Sequence, residues 1–371
     1  MGDSRIPDGL LPLDGRFGSG PSLVRGAQID AFVRASRDVL GTSHRRAAVT
    51  GLVDEVRTGL SELFALPDGY EVVLGNGGAT AFWDAAAFCL VERRAQAMVF
   101  GEFGAKFASA LSAPWLQAPE VREAPAGSIA LPEPREDVDV YAWPHNETST
   151  GAMAPVRRVD GAPGALTVVD GTSAAGGALV DPAEFDVYYF APQKNFGADG
   201  GLWIALLSPA AIERIERIGA SGRYLPDFLS LPLALRCSRR GQTLNTPAIG
   251  TLLLLAEQIR WLNEHGGLPW AAERTGRSSA AVYEWALASA YASPFVAQPE
   301  HRSSVVATVD LAERVDAARI ARSLRKLGVV DVEPYRGLQR NQLRIATFVS
   351  IETEDVRRLL ALVDHLAGEP G

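Results

Sequence analysis

The sequence predicts an α/β fold with two domains: a large domain built on a mostly parallel sheet, and a smaller α+β domain that follows it. Three observations predict this class. Short apolar strands alternate with helices over the first 250 residues, as in parallel sheets that are buried on both faces. Long helical stretches with almost no strand between them come after residue 250. The chain of 371 residues is long enough to form two domains.

The first elements follow a segment, residues 1–20, that is rich in Gly, Pro and Asp and is predicted to form an irregular arm. Helical periodicity then appears in RGAQIDAFVRASRDVLG and in LVDEVRTGLSELFAL, and the second of these ends at the turn Pro67-Asp68-Gly69. The strand YEVVLG, a tight glycine-rich loop and the helix AFWDAAAFCLVE come next. These elements open the large domain, which is predicted at residues 21–264.

The rest of the large domain continues this alternation. The predicted order is strand AMVF, helix FGAKFASALS, strands DVDVYAW, ALTVVD, FDVYYFA and LWIALL, and helix AAIERIERIG, with a surface loop at 123–137. The C-terminal domain is predicted at residues 265–371. It contains a long helix, the strands SVVATVDL and QLRIATF, and the helices DAARIARSLRKLG and EDVRRLLALVDHLAG.

Composition excludes several kinds of partner. The formal charge is −8 and no basic run is present, so neither nucleic acid nor an anionic membrane surface is an expected partner. No apolar run approaches the ~20 residues that a membrane span needs, and the N-terminus lacks the apolar core of a signal peptide, so a cytoplasmic location is expected. Cys89 and Cys237 cannot form a disulfide framework, and the five scattered histidines show no metal-ligand spacing.

Two polar residues at strand ends carry the first functional prediction. Asp170 closes the strand ALTVVD, and Lys194, one of only three lysines in the chain, follows the next strand 24 residues later. Considered alone, Lys194 would be predicted to be a solvated lysine in a turn, and Asp170 a turn or helix-cap residue. Neighbouring strands, however, would bring both residues to one edge of the sheet, where α/β folds collect ligands.

A carboxylate and an amine in this arrangement suit pyridoxal phosphate. The amine can bond to the aldehyde of the cofactor, while a carboxylate that faces the ring nitrogen keeps that nitrogen protonated. The lysine, with a pKa lowered by burial, could then move a proton. The loop that contains Gly75, Gly77 and Gly78 is a candidate phosphate site, because its N–H groups and the following helix N-terminus attract anions. Read alone, this loop is a plain glycine-rich turn.

Other residues near strand ends extend the candidate site. Thr80 could add a hydroxyl to the phosphate site. Phe103 could stack on the cofactor ring, although an aromatic residue at a helix start is also a common core residue. Thr148, in WPHNETSTG, could reach the phenolic oxygen of the ring. Asn245 and Thr246 lie in TLNTP, where they can also simply start the long helix that follows.

Several motifs, in order along the chain, resemble those of the phosphoserine aminotransferase family in its actinobacterial form. They are GTSHR, LGNGGATAFWDAAAF, HNETSTG, VVD, YYFAPQKNFGADGGLW, PDFLSLP, NTPAI and QRNQLRIA, and the match extends from about residue 14 to the C-terminus. The resemblance implies a class-V aminotransferase of the aspartate aminotransferase fold (fold type I), with pyridoxal phosphate as cofactor. It also implies a homodimer with active sites at the subunit interface.

The resemblance also implies cofactor contacts residue by residue. Lys194 matches the lysine that bonds to the cofactor, and Asp170 matches the partner of the ring nitrogen. Phe103 occupies the ring-stacking position, where some members have Trp. The remaining matches are the phosphate-binding residues Ala79, Thr80 and Gln193, the phenolic-oxygen partner Thr148, and Asn245 and Thr246, which reach the phosphate from the neighbouring subunit.

The substrate contacts that the resemblance implies are mostly arginines. Arg45 and Arg344 match family arginines, and both suit bidentate recognition of a carboxylate or phosphate. Further candidates for binding the substrate phosphate are His44, Arg336 and Arg340. The last two can equally be solvated surface charges. Members that carry a His-Arg pair shortly before the last arginine differ from this chain, which has a Gly-Leu pair at 337–338.

The implied reaction is a ping-pong transfer of the amino group between L-glutamate and 3-phosphohydroxypyruvate, giving 2-oxoglutarate and O-phospho-L-serine in serine biosynthesis. In some bacteria a related phosphorylated threonine of the vitamin B6 route is also made. The nearest alternative is another small fold-type-I aminotransferase, such as an alanine–glyoxylate enzyme, which needs no second anion pocket. A dinucleotide-dependent oxidoreductase would leave the Asp170–Lys194 spacing unexplained, and a non-catalytic binding module would be expected to lack one of these two residues.

Overall fold

The structure, a computed structural model, describes residues 6, 7 and 9–368. Its β-strands are β1 (Glu71–Asn76), β2 (Ala95–Val99), β3 (Glu120–Glu123), β4 (Val140–Pro144), β5 (Asn146–Glu147), β6 (Ala152–Met153), β7 (Leu166–Asp170), β8 (Val187–Phe190), β9 (Leu202–Leu207), β10 (Ala292–Pro294), β11 (Val306–Leu311) and β12 (Gln342–Ala346). Its α-helices are α1 (Gly26–Val39), α2 (Ala47–Leu63), α3 (Ala79–Cys89), α4 (Glu102–Ala110), α5 (Pro209–Ala220), α6 (Leu231–Ser238), α7 (Ile249–Glu264), α8 (Gly267–Ala288), α9 (Ala317–Lys326) and α10 (Thr353–Gly368).

Seven strands form the central sheet, in the order β1-β9-β8-β7-β4-β2-β3. Strand β9 pairs antiparallel with both β1 and β8, whereas β8, β7, β4, β2 and β3 pair in parallel. Because β1 and β8 both run against β9, they point in the same direction. The carboxyl ends of every strand of this sheet except β9 therefore lie at one edge, which is where open α/β sheets bind ligands.

The central sheet separates two apolar layers, because successive strand residues point to opposite faces. In β9, Leu202, Ile204 and Leu206 belong to the layer that packs on α1, α2 and α7. Trp203 and Ala205 belong to the layer that packs on α3, α4, α5 and α6. A sheet covered on both faces explains why its strands read as continuous apolar runs in the sequence. The predicted α/β class is confirmed.

The C-terminal part of the chain builds a further apolar core. A three-stranded antiparallel sheet, β10-β11-β12, packs with α8, α9 and α10 around residues such as Val309, Ile320 and Leu359, which are fully buried. Phe17 and Leu23, from the beginning of the chain, belong to the same core. The start of the chain is thus held against its end, and the domain boundary at residue 265 stays a prediction.

The structure differs from the sequence-based elements in a few places. The sequence predicts neither β3, whose residues alternate between exposed and half-buried at the sheet edge, nor the short helix α6, which has Pro232 in its first turn. The predicted irregular arm pairs with the C-terminal part of the chain through an isolated parallel β-bridge between Arg16 and Val330. Residues 1–5 and 8 of this arm lie outside the described residues.

Within the part of the chain that the structure describes, no helix is both long and apolar enough to cross a membrane. The expected cytoplasmic location stays a prediction.

Asn195, which directly follows Lys194, offers a test of how the sheet edge is tied to the C-terminal segment. Its buried side chain donates to the carbonyl oxygen of Ser173 (2.7 Å) and accepts from the N–H of Val349 (3.2 Å). Replacing Asn195 with Ala leaves two buried backbone groups without these partners, so we expect a loss of about 1–3 kcal/mol each. The melting temperature should fall by several degrees relative to Gln117→Ala, an exposed control. Equal melting temperatures would contradict this reading.

Candidate active site

A cavity of about 210 Å³ lies at the edge of the central sheet where the parallel strands end. Its walls are formed by segments that follow β1, β2, β4, β7 and β8. Seven of the predicted site residues line this cavity: Ala79, Thr80, Phe103, Thr148, Asp170, Gln193 and Lys194. Their common location is a property of the fold, since each lies at or after the carboxyl end of a strand that points to the same edge.

Lys194 reaches this cavity from the loop between β8 and β9. Its Nζ donates a hydrogen bond to the carbonyl oxygen of Ser19, 2.5 Å away. Burial, and to a smaller extent the positive charge of Arg344, lowers the pKa of Lys194 to about 8. The carboxylates of Asp170 and Glu147 act in the opposite direction. An amine with this pKa is partly neutral near neutral pH, and the neutral form is the one that acts as a nucleophile or base.

Asp170, the last residue of β7, is held in a fixed orientation within the cavity wall. Its Oδ1 accepts a hydrogen bond from the N–H of Thr172 (2.8 Å), and its Oδ2 accepts one from the indole Nε1 of Trp83 (3.4 Å). Burial raises the pKa of Asp170, and these hydrogen bonds oppose that shift. A buried carboxylate of this kind is stabilised when a cationic group is placed against it.

The turn between β1 and α3 forms an anion-binding geometry. Gly77 has φ +109°, a left-handed conformation that glycine adopts without steric cost. Gly78 is the N-cap of α3 and has no side chain with which to cap the helix. The N–H groups at the start of α3, at Ala79 and Thr80, are thus left at the positive end of the helix, beside the cavity. This is the arrangement that binds phosphate at helix N-termini.

Several polar atoms of the cavity residues have no hydrogen-bond partner among the described residues. They are Oδ1 of Asn146, Oγ1 of Thr172 and Oε1 of Gln193, all of them buried. Buried polar atoms are nearly always satisfied in native proteins, so these atoms indicate an occupant that supplies donors and acceptors. Together with the glycine turn, the amine and the carboxylate, they fit a flat, polar, phosphorylated molecule such as pyridoxal phosphate.

Two aromatic side chains complete the cavity walls. Phe103 lies near the start of α4, with its ring centroid 6.0 Å from Nζ of Lys194. Trp83, in α3, also lines the cavity and contacts Asp170, and it is not among the site residues predicted from the sequence. Because Trp83 lies four residues after Ala79, the two residues share one face of the helix. That spacing is the signal by which Trp83 could have been found.

Arg344, on β12, reaches the edge of the cavity from the C-terminal part of the chain. Its Nη1 donates to the carbonyl oxygen of Thr148 (3.2 Å), and its guanidinium lies 5.5 Å from the ring centroid of Tyr335. Its buried Nε has no partner among the described residues. Burial lowers the pKa of Arg344, but a guanidinium retains its charge in proteins. Arg344 is therefore a fixed positive charge with free hydrogen-bonding capacity beside the cavity.

A second group of predicted residues lies outside the lining of this cavity. Thr246 contacts His44, with 3.1 Å between Oγ1 and Nδ1, and the side chain of Asn76 donates to the carbonyl oxygen of Thr246 (3.4 Å). Arg45, Asn245 and Thr246 are exposed, and the buried Nε2 of His44 has no partner among the described residues. Most of the predicted site residues thus fall into two groups within one chain: the cavity group, which is the seven residues that line the cavity, and this second group of His44, Arg45, Asn245 and Thr246.

Two further predicted substrate arginines, Arg336 and Arg340, also lie outside the cavity lining. Arg340 forms an ion pair with Asp310, with 2.5 Å between Nη2 and Oδ2, and its guanidinium lies over the ring of Phe295. Arg336 is exposed in the segment between β11 and β12. Their position agrees with the alternative prediction from the sequence, that both are surface charges.

Comparisons with known proteins agree with this geometry. The sequence profile of the aminotransferase class-V family matches residues 20–332. A phosphoserine aminotransferase from Rhodococcus opacus is 55% identical to this chain over 99% of this chain and 98% of its own. In structure, the chain is similar to a phosphoserine aminotransferase from Cytophaga hutchinsonii (TM-score 0.88, 23% identity, 95% of this chain and 99% of the other). It is also similar to the pyridoxal phosphate-bound phosphoserine aminotransferase from Trichomonas vaginalis (TM-score 0.80, 17% identity, 95% and 99%).

These similarities establish the family. The chain belongs to the aminotransferase class-V family. The predicted family, fold type and enzyme class, with pyridoxal phosphate as the cofactor of that class, are therefore confirmed.

The lowered pKa of Lys194 predicts a pH dependence for the capture of pyridoxal phosphate by the apoprotein. Only the neutral amine attacks the aldehyde, so the rate should rise as the pH increases and level off above pH ~8, the pKa of this amine. An ordinary lysine would give a rate that keeps rising towards pH ~10. Stopped-flow absorbance across this range measures the profile, with Lys194→Ala as the control that should show no saturating phase. A midpoint near that of an ordinary lysine would contradict the assignment.

Proposed function

We propose that this class-V aminotransferase transfers the amino group between L-glutamate and 3-phosphohydroxypyruvate, giving 2-oxoglutarate and O-phospho-L-serine. The observation that carries the proposal is the convergence of Lys194, Asp170 and the glycine turn before α3 on one cavity. The name of the relative from Rhodococcus opacus, over nearly the full length of both chains, supports the choice of substrates.

The cavity group would hold the cofactor by its polar and charged ends. Bound pyridoxal 5′-phosphate supplies an aldehyde that exchanges amines and a ring that withdraws electrons from the α-carbon of the substrate. The N–H groups of Ala79 and Thr80 and the amide of Gln193 would bind the phosphate. Asp170 would face the ring nitrogen, since its carboxylate needs a cationic partner. The hydroxyl of Thr148 would contact the phenolic oxygen, and Phe103 would cover one face of the ring.

Lys194 and Arg344 would act on the amino-acid substrate. The amine of Lys194, with its pKa lowered to about 8, is suited to take the proton from the α-carbon of glutamate and, in the second half-reaction, to return one to the α-carbon of the product. Arg344 is suited to bind the α-carboxylate of both substrates in turn, because its guanidinium makes bidentate contacts. Its fixed contact with Thr148 keeps it beside the same cavity.

The second group of site residues supports a homodimer with shared active sites. His44, Arg45, Asn245 and Thr246 carry hydrogen-bonding and cationic side chains, yet in one chain they lie outside the cavity lining. A two-fold dimer can place this surface over the cavity of the other subunit. Asn245 and Thr246 would then bind the cofactor phosphate there, and Arg45 and His44 would bind the phosphate of the keto acid. The exposed aromatic residue Phe228, near the glycine turn, would be covered by the same contact.

Substrate preference separates the proposed activity from that of an alanine–glyoxylate type aminotransferase. With glutamate as donor, kcat/KM should be on the order of 10² or more higher for 3-phosphohydroxypyruvate than for hydroxypyruvate or glyoxylate, because a site that binds a phosphate leaves buried charges unpaired with the smaller acids. A coupled assay of 2-oxoglutarate release measures the three rates, and Lys194→Ala is the inactive control. Equal kcat/KM values for the phosphorylated and unphosphorylated acids would exclude the proposed substrate.

Complementation between inactive variants tests the shared active sites. A chain carrying Lys194→Ala, mixed with a chain carrying Arg45→Ala and Asn245→Ala, should recover about a quarter of the wild-type activity, because half of the dimers are hybrids and one of their two sites is intact.

The matched control for this complementation is a mixture of Lys194→Ala with Asp170→Ala. Both residues belong to the cavity of one chain, so every site in this mixture carries a defect and no activity should return. Recovery in neither mixture, with hybrid dimers demonstrated by tagged subunits, would show that all site residues act within one chain.

A further inference from the structure

Glu147 is a fully buried carboxylate that the proposed mechanism does not use. It lies at the end of β5, directly before Thr148. Its Oε2 accepts hydrogen bonds from the backbone N–H groups of Phe103 and Gly104, both at 3.0 Å. Its Oε1 accepts from the N–H (3.1 Å) and the hydroxyl (2.6 Å) of Ser149. One side chain therefore collects four donors from two segments that are distant in the sequence.

These contacts cap helix α4 from outside the helix. The hydroxyl of Ser149 also accepts from the N–H of Glu102 (3.1 Å), so the first three N–H groups of α4 all bind side chains of residues 147–149. The N-cap residue, Gly101, has no side chain of its own. A Cβ at Gly101 would lie 2.3 Å from Cγ of Glu147, so the glycine leaves the space that Glu147 occupies. The cap of α4 is thus built by the loop that carries Thr148.

These contacts suit an ionised carboxylate, because each of its oxygens accepts two hydrogen bonds. Burial raises the pKa of Glu147, and the hydrogen bonds from Ser149 and Gly104 oppose the rise. A carboxylate accepts at both oxygens and also suits the positive end of the helix dipole. A glutamine here would have an NH₂ group in place of one carboxylate oxygen, and this group would face two other donors. Buried N–H groups would then lose their acceptor.

The two segments joined by Glu147 carry two of the proposed cofactor contacts. Phe103, whose N–H is bound, lines one wall of the cavity, and Thr148, the next residue in the chain, lines another. The carbonyl oxygen of Thr148 also accepts from Arg344. The Glu147 carboxylate therefore sets the distance between the side chain of Phe103 and the hydroxyl of Thr148. Through Thr148 it also affects the position of Arg344, the arginine proposed to bind substrate.

We propose that Glu147 is a positioning residue, which sets the spacing of Phe103 and Thr148 across the cofactor cavity by capping α4 through Ser149 and its own carboxylate. This inference rests on the proposed function, since it assumes that the cavity binds pyridoxal phosphate. Glu147 touches neither the reacting atoms nor the substrate. It positions the cofactor contacts through the backbone of Phe103 and through its covalent neighbour Thr148, and its charge acts separately on the pKa of Lys194.

The test compares Glu147→Gln with wild type and with Glu354→Gln, which removes an exposed carboxylate from the first turn of α10. Apoprotein is titrated with pyridoxal phosphate, and the visible absorbance of the bound cofactor gives the dissociation constant. We expect Glu147→Gln to raise this constant at least tenfold, equivalent to about 1.4 kcal/mol, and Glu354→Gln to leave it within twofold. A role confined to helix stability would lower the melting temperature of the apoprotein and leave the dissociation constant unchanged, and that result would overturn the proposal.

Ser149→Ala keeps the test decisive if Glu147→Gln does not fold. This variant retains the carboxylate but loses the hydroxyl that joins Oε1 of Glu147 to the N–H of Glu102. We expect a dissociation constant several-fold above wild type, and an unchanged constant in a folded Ser149→Ala protein would refute the inference. Failure of the proposed function and failure of the Glu147 proposal give different results. Wild-type protein that binds no pyridoxal phosphate would refute the proposed function, whereas wild-type and variant proteins that bind it equally would refute the role of Glu147 alone.

Discussion

The site depends on one constraint: a carboxylate and an amine must both be held in a pocket that is largely closed to water. Burial disfavours the charged form of each group, and it raises the pKa of Asp170 while it lowers that of Lys194. Each group is held by a backbone partner, the N–H of Thr172 for Asp170 and the carbonyl of Ser19 for Lys194. The parallel pairing of β7 with β8 brings the two segments to one edge, so the sheet topology is what makes this arrangement possible.

The segment at residues 17–22 contacts Lys194 and connects it to the C-terminal core. The N–H of Ala346, at the end of the strand that carries Arg344, donates to the carbonyl oxygen of Phe17 (3.1 Å). Three residues later, Gly20 packs so closely on Lys194 that a Cβ there would lie 2.1 Å from Nζ. Ser22 then bonds to the carbonyl oxygen of Lys194. One short segment therefore contacts both the strand of the proposed substrate arginine and the proposed catalytic amine, and their separation is set by packing.

The parts that could be predicted from sequence are those whose signal is local. The apolar runs that form β7, β8 and β9 are visible in the sequence because both faces of the sheet are covered. The glycine turn before α3 is visible because a backbone that binds an anion at a helix N-terminus favours glycine. Trp83 and Glu147 were missed because their roles depend on contacts across the fold: within the sequence, Trp83 is one more apolar helix residue and Glu147 one more charged residue. The contact of His44 with Thr246 joins segments 202 residues apart, and no local pattern encodes it.

The scarcity of lysine has a physical meaning at this site. An aldehyde reacts with any neutral primary amine, so selectivity depends on the pKa of each amine near it. Lys106 and Lys194 both lie near the ring of Phe103, with their Nζ atoms 5.6 and 6.0 Å from its centroid. Lys106 pairs with Glu102 (3.1 Å), which raises its pKa, whereas burial lowers the pKa of Lys194. Of these two amines, that of Lys194 therefore has the larger neutral fraction near neutral pH. The abundant arginines can line the rim without competing, because a guanidinium stays protonated.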